Sequence, residues 1–354
     1  MTAMAEIVKN PASNIPREAT GTDASKAAAP AVPSGLYLAC VLAGMFGALA
    51  AFYGALLLLQ STDNLPPPAF SNSLCVDEKL MFMRELPAGS PNLLVVGSSV
   101  AWRHFDGATV ARQSKGSIRP INGGFCGLHA NQSVFTANWL LDRLPSVQQV
   151  VMIASPQDFG ECSVKRQAVF DRQDVDDYVY GGASQWPYYL RYFSPISLMG
   201  NARRVKGQRA NQVELDPLVF TAYGDGPLNT AQSVEGLTNY GKPEPLDPVC
   251  FQALESLAQR LQKQGQAFTV VTTPLNPIWK AREDPSGAFI NNFHLRLAKS
   301  LEGTNARYWD ADSEWKTANA SFTDGIHMRW SAVQEFSVAL ANQLEPIAGP
   351  AAKP

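Results

Sequence analysis

Charge is scarce in this chain: only 17% of its 354 residues are Asp, Glu, Lys or Arg, against about 25% in an ordinary soluble domain. The two signs nearly cancel, with 29 basic against 31 acidic residues. That balance excludes a nucleic-acid binder that depends on bulk positive charge. Cysteines number five and histidines four. With no Cys-x-x-Cys pair and no Cys/His ligand spacing, no metal site is expected, and no cofactor either. The length excludes a small disulfide scaffold. No internal repeat is visible, which removes solenoids and propellers.

The shortage of charge has a location. Residues 36–59 read LYLACVLAGMFGALAAFYGALLLL, without one charged side chain. At ~1.5 Å per helical residue, such a run crosses a hydrocarbon core of ~30 Å. A cleavable signal has a shorter apolar region, and Leu59-Gln60-Ser61-Thr62 is a poor cleavage site. The expectation is therefore an uncleaved signal anchor over 36–60, with the lipid bilayer as its partner. Gly44/Ala48, Gly47/Ala51 and Ala50/Gly54 recur four apart, which permits close helix packing in lipid. The leader, 1–35, is rich in Ala, Pro, Ser and Thr and carries Lys9, Arg17 and Lys26. It reads as disordered and, by the positive-inside rule, cytoplasmic, with the rest of the chain periplasmic. Cys40 falls in the span. Cys75, Cys126, Cys162 and Cys250 fall on the exported side, where three pairings are possible and buried thiols are an equal option.

Beyond the anchor, residues 61–90 read as an extended linker and domain entry, with Pro66-Pro67-Pro68 as a stiff spacer. From residue 91 short apolar runs alternate with helical patterns. The runs are Asn92–Val96, Arg119–Asn122, Gln149–Ala154, Ala267–Thr273 and Ala306–Trp309. Helices are predicted over 130–144, 247–264 and about 330–345, from apolar spacings of three and four. This order predicts an α/β domain over 91–346, a parallel sheet between two helical layers. An aromatic, irregular stretch over 160–245 reads as an insertion, and 347–354 as a disordered tail.

The first run ends in Val96-Gly97-Ser98-Ser99. A strand entering Gly-x-Ser can present a serine at a helix start, where backbone N–H groups favour an oxyanion. Alone the tripeptide is common. Near the other end stands Asp324-Gly325-Ile326-His327. A serine nucleophile needs a base, and the base an orienting carboxylate; residues three apart on one turn can meet. A helix cap by Thr323 or Asp324 is the plainer alternative. Of the four histidines, only His327 has an acid three residues before it.

Two intermediate blocks, Asn122-Gly123-Gly124-Phe125-Cys126-Gly127 and Ser155-Pro156-Gln157-Asp158-Phe159, complete a pattern that resembles the SGNH, or GDSL-type, hydrolase superfamily. The resemblance implies a flavodoxin-like three-layer sandwich. It implies Ser99 as nucleophile, with Asp324 and His327 as its partners. The oxyanion hole would comprise the Ser99 N–H, Gly127 and Gln157. Gln157 stands where the family has asparagine, and Ser98 where it has aspartate. These departures, with Trp330 three residues past His327 and the N-terminal anchor, resemble the membrane-anchored DltD-like subgroup. That subgroup implies transfer of a D-alanyl or acetyl group to an envelope polymer, such as teichoic acid or exopolysaccharide, beside a membrane-bound O-acyltransferase. An envelope esterase or thioesterase, or a non-catalytic polymer-binding or scaffolding module, remains open.

Other features have blander readings. His129 could face the site or, more plainly, cap or flank a helix; His104 is expected to pack or face solvent, and His294 to be structural. Arg203, Arg204, Lys206 and Arg209 could meet lipid headgroups or an anionic polymer, or form a solvated loop. The aromatics of 186–193 could line a groove or plug the core. Asp158, beside Gln157, could help the site or only cap a helix, and the cap is the expectation. A Cys126–Cys162 bridge would brace the candidate oxyanion loops.

Overall fold

The computed structural model describes residues 33–86, 89–212, 217–229 and 240–346. The leader over 1–32 and the tail over 347–354 lie outside the described residues. The chain divides into an N-terminal unit ending at Leu57 and a body from Leu58 onward. Helix α1, Ser34–Ser61, has 28 residues. It is long and apolar enough to cross a membrane.

The body is built on five parallel strands: β1 (Leu93–Gly97), β2 (Pro120–Asn122), β3 (Gln149–Ala154), β4 (Ala267–Thr272) and β5 (Arg307–Trp309). Their order is β2-β1-β3-β4-β5. This is the doubly wound, flavodoxin-like arrangement, whose strand order reverses beside β1. Each expected apolar run became a strand, within a residue at either end. Asn92, just before β1, ties that strand's entry to the chain leading into β2: Oδ1 accepts from Arg119 N (2.7 Å) and Nδ2 donates to Ser117 O (2.8 Å).

Strand pleating divides the core in two. Leu94, Val96, Val150, Met152 and Val270 face one layer of helices. That layer includes α2 (Leu74–Glu85), α5 (Ala130–Arg143) and α10 (Pro248–Lys263). Leu93, Val95, Val151, Ile153 and Val271 face the other. There lie α3 (Ser99–Arg103), α4 (Gly107–Gln113), α11 (Pro277–Glu283) and α13 (Trp330–Ala341). Helix α12 (Ala288–Ser300) adds Phe293 and Leu297 to the first core and Ile290 to the second. The helix starts follow capping rules. Asp247 Oδ1 accepts from Val249 N, with Pro248 in the first turn of α10. At α5 the Gln132 side chain accepts from the His129 N–H. His129 is thus a cap, and it also lines the cavity that holds Ser99, so both readings of it from the sequence are met.

Residues 61–90 are more than linker. Leu65–Pro68 are buried, and Tyr189 Oη donates to Pro66 O at 2.6 Å. The triproline spacer is therefore packed against the body rather than free. The described part of the 160–245 insertion forms α6 (Arg172–Val179), α7 (Trp186–Arg191), α8 (Pro195–Ala202) and α9 (Val205–Arg209). Its aromatics plug the core: Tyr178, Tyr188 and Tyr192 surround Phe70 at 4.9–5.1 Å between ring centroids.

Helix α2 buries Asp77, whose Oδ1 accepts from Ser71 N (2.9 Å) and Ser71 Oγ (2.8 Å). Burial pushes its carboxyl up to about 8, against the lowering effect of the Ser71 bonds. The folded chain thus keeps a proton that the unfolded chain releases above about pH 4. Asp77 therefore contributes a loss of stability as pH rises from about 4 toward 8. Asp77→Asn keeps an acceptor for Ser71 and removes the charge. Its stability relative to the parent should rise between pH 4 and pH 8, by several kcal/mol. Thermal unfolding of both proteins at the two pH values checks this; equal differences at both would refute it.

Candidate active site

The carboxyl ends of the strands converge at one side of the sheet, where α/β folds place their ligands. β1 ends at Gly97, with φ +139°; a Cβ there would lie 2.5 Å from Ile153 O and 2.7 Å from Ala101 Cβ. Only glycine lets the chain turn so tightly from strand to helix. Ser98 caps α3, its side chain accepting from Val100 N. Ser99 is the first residue of α3.

The sequence pair Asp324-x-x-His327 occupies a turn between Phe322 and Met328, which face each other across an antiparallel bridge. Asp324 Oδ1 accepts from Ile326 N (2.8 Å) and His327 N (2.7 Å). Its other oxygen, Oδ2, lies 2.8 Å from His327 Nδ1. His327 Nε2 lies 2.9 Å from Ser99 Oγ. The structure therefore brings Ser99, His327 and Asp324 into one hydrogen-bonded series. Neither Thr323 nor Asp324 caps the last helix; Arg329 holds that position. Burial pushes the Asp324 carboxyl up, but His327 and the backbone N–H groups outweigh it and hold it below the usual range.

His104 turns out to be buried support for this turn. Its Nε2 accepts from Met328 N at 2.8 Å, and its Nδ1 lies 2.5 Å from Thr273 Oγ1. Burial, with His327 nearby, holds it well below the ordinary histidine range. It is a neutral ring that pins the residue after His327 to Thr273, just past the end of β4. The only sequence signal was its place five residues beyond Ser99. His294 is structural, with Nδ1 3.0 Å from Asp310 Oδ2.

Ser99 and His327 line a cavity of about 840 Å³ shared with Gly127, Gln157, Arg103 and Arg204. Gly127 has φ +66°, and a Cβ there would meet nothing. Glycine serves conformation here, and its N–H has no acceptor among the described residues. Gln157 Oε1 accepts from Ser155 Oγ. Its Nε2 is a buried donor without a partner among the described residues. An unpaired buried amide costs stability unless a ligand uses it. Asp158 acts as the expected cap, accepting from Ser155 N at 3.1 Å. Burial pushes its carboxyl up to about 7, offset in part by Ser98 and Ser155. Arg103 stacks on Trp102 at 4.1 Å and donates to Pro217 O at 3.2 Å. The insertion supplies one wall, through Gly200, Asn201, Arg204 and Gln208. Among the described residues no cluster of three His, Cys, Asp or Glu side chains could hold a metal ion.

The cysteines pair differently from the bridge considered above. Cys126 joins Cys75 on α2, and Cys162 joins Cys250 on α10. Cys126 and Cys162 thus each tie a loop at the strand ends to a helix rather than to each other. The first bridge holds the residue beside Gly127. Replacing both Cys75 and Cys126 by alanine should cost about 2–4 kcal/mol of stability, read as a lower thermal midpoint; an unchanged midpoint would show the bridge to be dispensable.

No protein-family model and no curated protein matches this chain.

Proposed function

We propose that this protein is a membrane-tethered serine acyltransferase working on a cell-envelope polymer. The observation that carries the reading is the hydrogen-bonded series Ser99–His327–Asp324, with links of 2.9 and 2.8 Å, in a cavity that also holds an amide donor unpartnered among the described residues.

In this reading His327 Nε2 takes the hydroxyl proton as Ser99 Oγ attacks the carbonyl of an acyl ester or thioester. Asp324 holds Nδ1–H and offsets the imidazolium charge. The oxyanion is met by the Ser99 and Gly127 N–H groups and by Gln157 Nε2. As the tetrahedral adduct collapses, the leaving group takes the proton from His327, and acyl-Ser99 remains. An acceptor hydroxyl then attacks the acyl carbonyl, giving its proton to His327; the acyl–Oγ bond breaks, and His327 returns the proton to Ser99 Oγ.

The DltD-like resemblance suggests the rest. The acyl group would be D-alanyl or acetyl, the acceptor a teichoic acid or exopolysaccharide, and the partner a membrane-bound O-acyltransferase. The basic residues of the leader favour a cytoplasmic N-terminus and a periplasmic body. The test has two parts. A fluorophosphonate should label Ser99 in the full chain, and His327→Ala should abolish labelling; a folded protein that resists the probe refutes the catalytic reading. An acyl donor supplied with candidate polymers should then acylate the polymer. Release of the free acid alone would make the protein an esterase or thioesterase instead.

A further inference from the structure

The basic cluster noted in the sequence lies on α8 and α9. Residues 194–212 contain Arg203, Arg204, Lys206 and Arg209 and no acidic residue. Pro195, Ile196, Met199 and Arg203 share an exposed face of α8, while Ala202 turns inward. Ile196 is 86% exposed, Met199 58%, and Leu190 at the end of α7 50%. Arg209 is matched by buried Glu78 at 2.6 Å, whereas Arg203, Arg204 and Lys206 are exposed.

The chain itself says what this edge meets. Lys206 Nζ donates to Thr62 O at 3.0 Å and lies 4.0 Å from Asp63 Oδ2. Thr62 directly follows Ser61, the last residue of α1. The cations therefore stand where the chain leaves its membrane-capable helix. Apolar side chains flanked by Arg and Lys fit an anionic lipid surface. The aliphatic groups enter the acyl boundary and the cations meet phosphates.

We propose that the α7–α8 edge seats on an anionic bilayer surface. Leu190, Ile196 and Met199 enter the interface, and Arg203, Arg204 and Lys206 lie against headgroup phosphates. Ile196, Gly200, Asn201 and Arg204 also line the Ser99 cavity. The cavity mouth then borders lipid, and the substrate class it takes is one carried at the membrane, on a lipid-linked or membrane-embedded carrier. This last step rests on the serine chemistry proposed above; the lipid contact does not.

The experiment uses the full chain with Cys40→Ser and Met199→Cys, labelled with an environment-sensitive fluorophore. It is reconstituted into phosphatidylglycerol/phosphatidylethanolamine vesicles, with Val164→Cys, 75% exposed on the loop after β3, as the comparison. Doxyl lipid should quench the label at position 199 at least threefold more than that at 164, with acrylamide doing the reverse. Adding Arg203→Glu and Lys206→Glu should at least halve the lipid quenching. Equal acrylamide quenching at both positions in carbonate-resistant vesicles would overturn the proposal, and is also the result if the edge docks on a membrane protein instead of lipid. Carbonate extraction of the chain would remove the tether and overturn it as well. Failure of fluorophosphonate labelling would overturn only the serine chemistry, leaving the depth readout intact.

Discussion

Ser99→Ala is expected to lower acyl transfer by about 10⁴-fold or more while leaving the fold intact. Among the described residues Ser99 Oγ is engaged only with His327 Nε2, at 2.9 Å. The turn that presents it depends on Gly97 and on the Ser98 cap instead. Removing the hydroxyl deletes the nucleophile and leaves those supports in place. Site residues of this kind are often neutral or costly for stability, so the variant should unfold at or slightly above the parent's midpoint. Fluorophosphonate labelling should disappear with the activity. Retention of most activity in a Ser99→Ala protein would refute the nucleophile assignment. A large fall in thermal midpoint would show that the hydroxyl has a structural role not visible in its contacts.

Asp324→Asn should cost a comparable factor, about 10⁴-fold, and the geometry says why. Oδ1 of Asp324 already accepts two backbone bonds, from Ile326 and His327. In the variant the amide oxygen must keep that place, because the amide nitrogen cannot accept. The NH₂ group is then turned onto His327 Nδ1, 2.8 Å away in the parent. Nδ1 must become the acceptor and the proton moves to Nε2, where it faces Ser99 and blocks proton removal. The expected signature is a fall in the acylation rate with little change in stability. Nitrogen NMR of His327 should show the tautomer reversed. A variant with normal rates would mean that His327 does not need this carboxylate.

The sequence alone carried what is local. The runs that became β1, β3 and β4 were legible because a buried parallel strand needs little beyond a short, β-branched, uncharged segment. Gly97 and Ser99 were legible because a strand-to-helix turn leaves a mark within a few residues. Asp324 and His327 were legible because one turn brings them together. Residues 36–59 were legible as a possible membrane span because the criterion is length and polarity.

Tertiary structure decided what joins distant parts of the chain. The cysteines paired 75 with 126 and 162 with 250, and spacing holds no record of which loops the sheet brings together. His104 looked like a packing residue; only the return of the chain at Met328 gave its ring a partner to hold. The triproline stretch became buried because Tyr189, from the insertion, reaches its carbonyl. The insertion itself showed no helical period strong enough to read. Its short helices are held by aromatic packing on Phe70 and by ion pairs such as Arg209–Glu78. That same insertion walls the Ser99 cavity, so the serine and its two partners could be read from the sequence but the shape they serve could not.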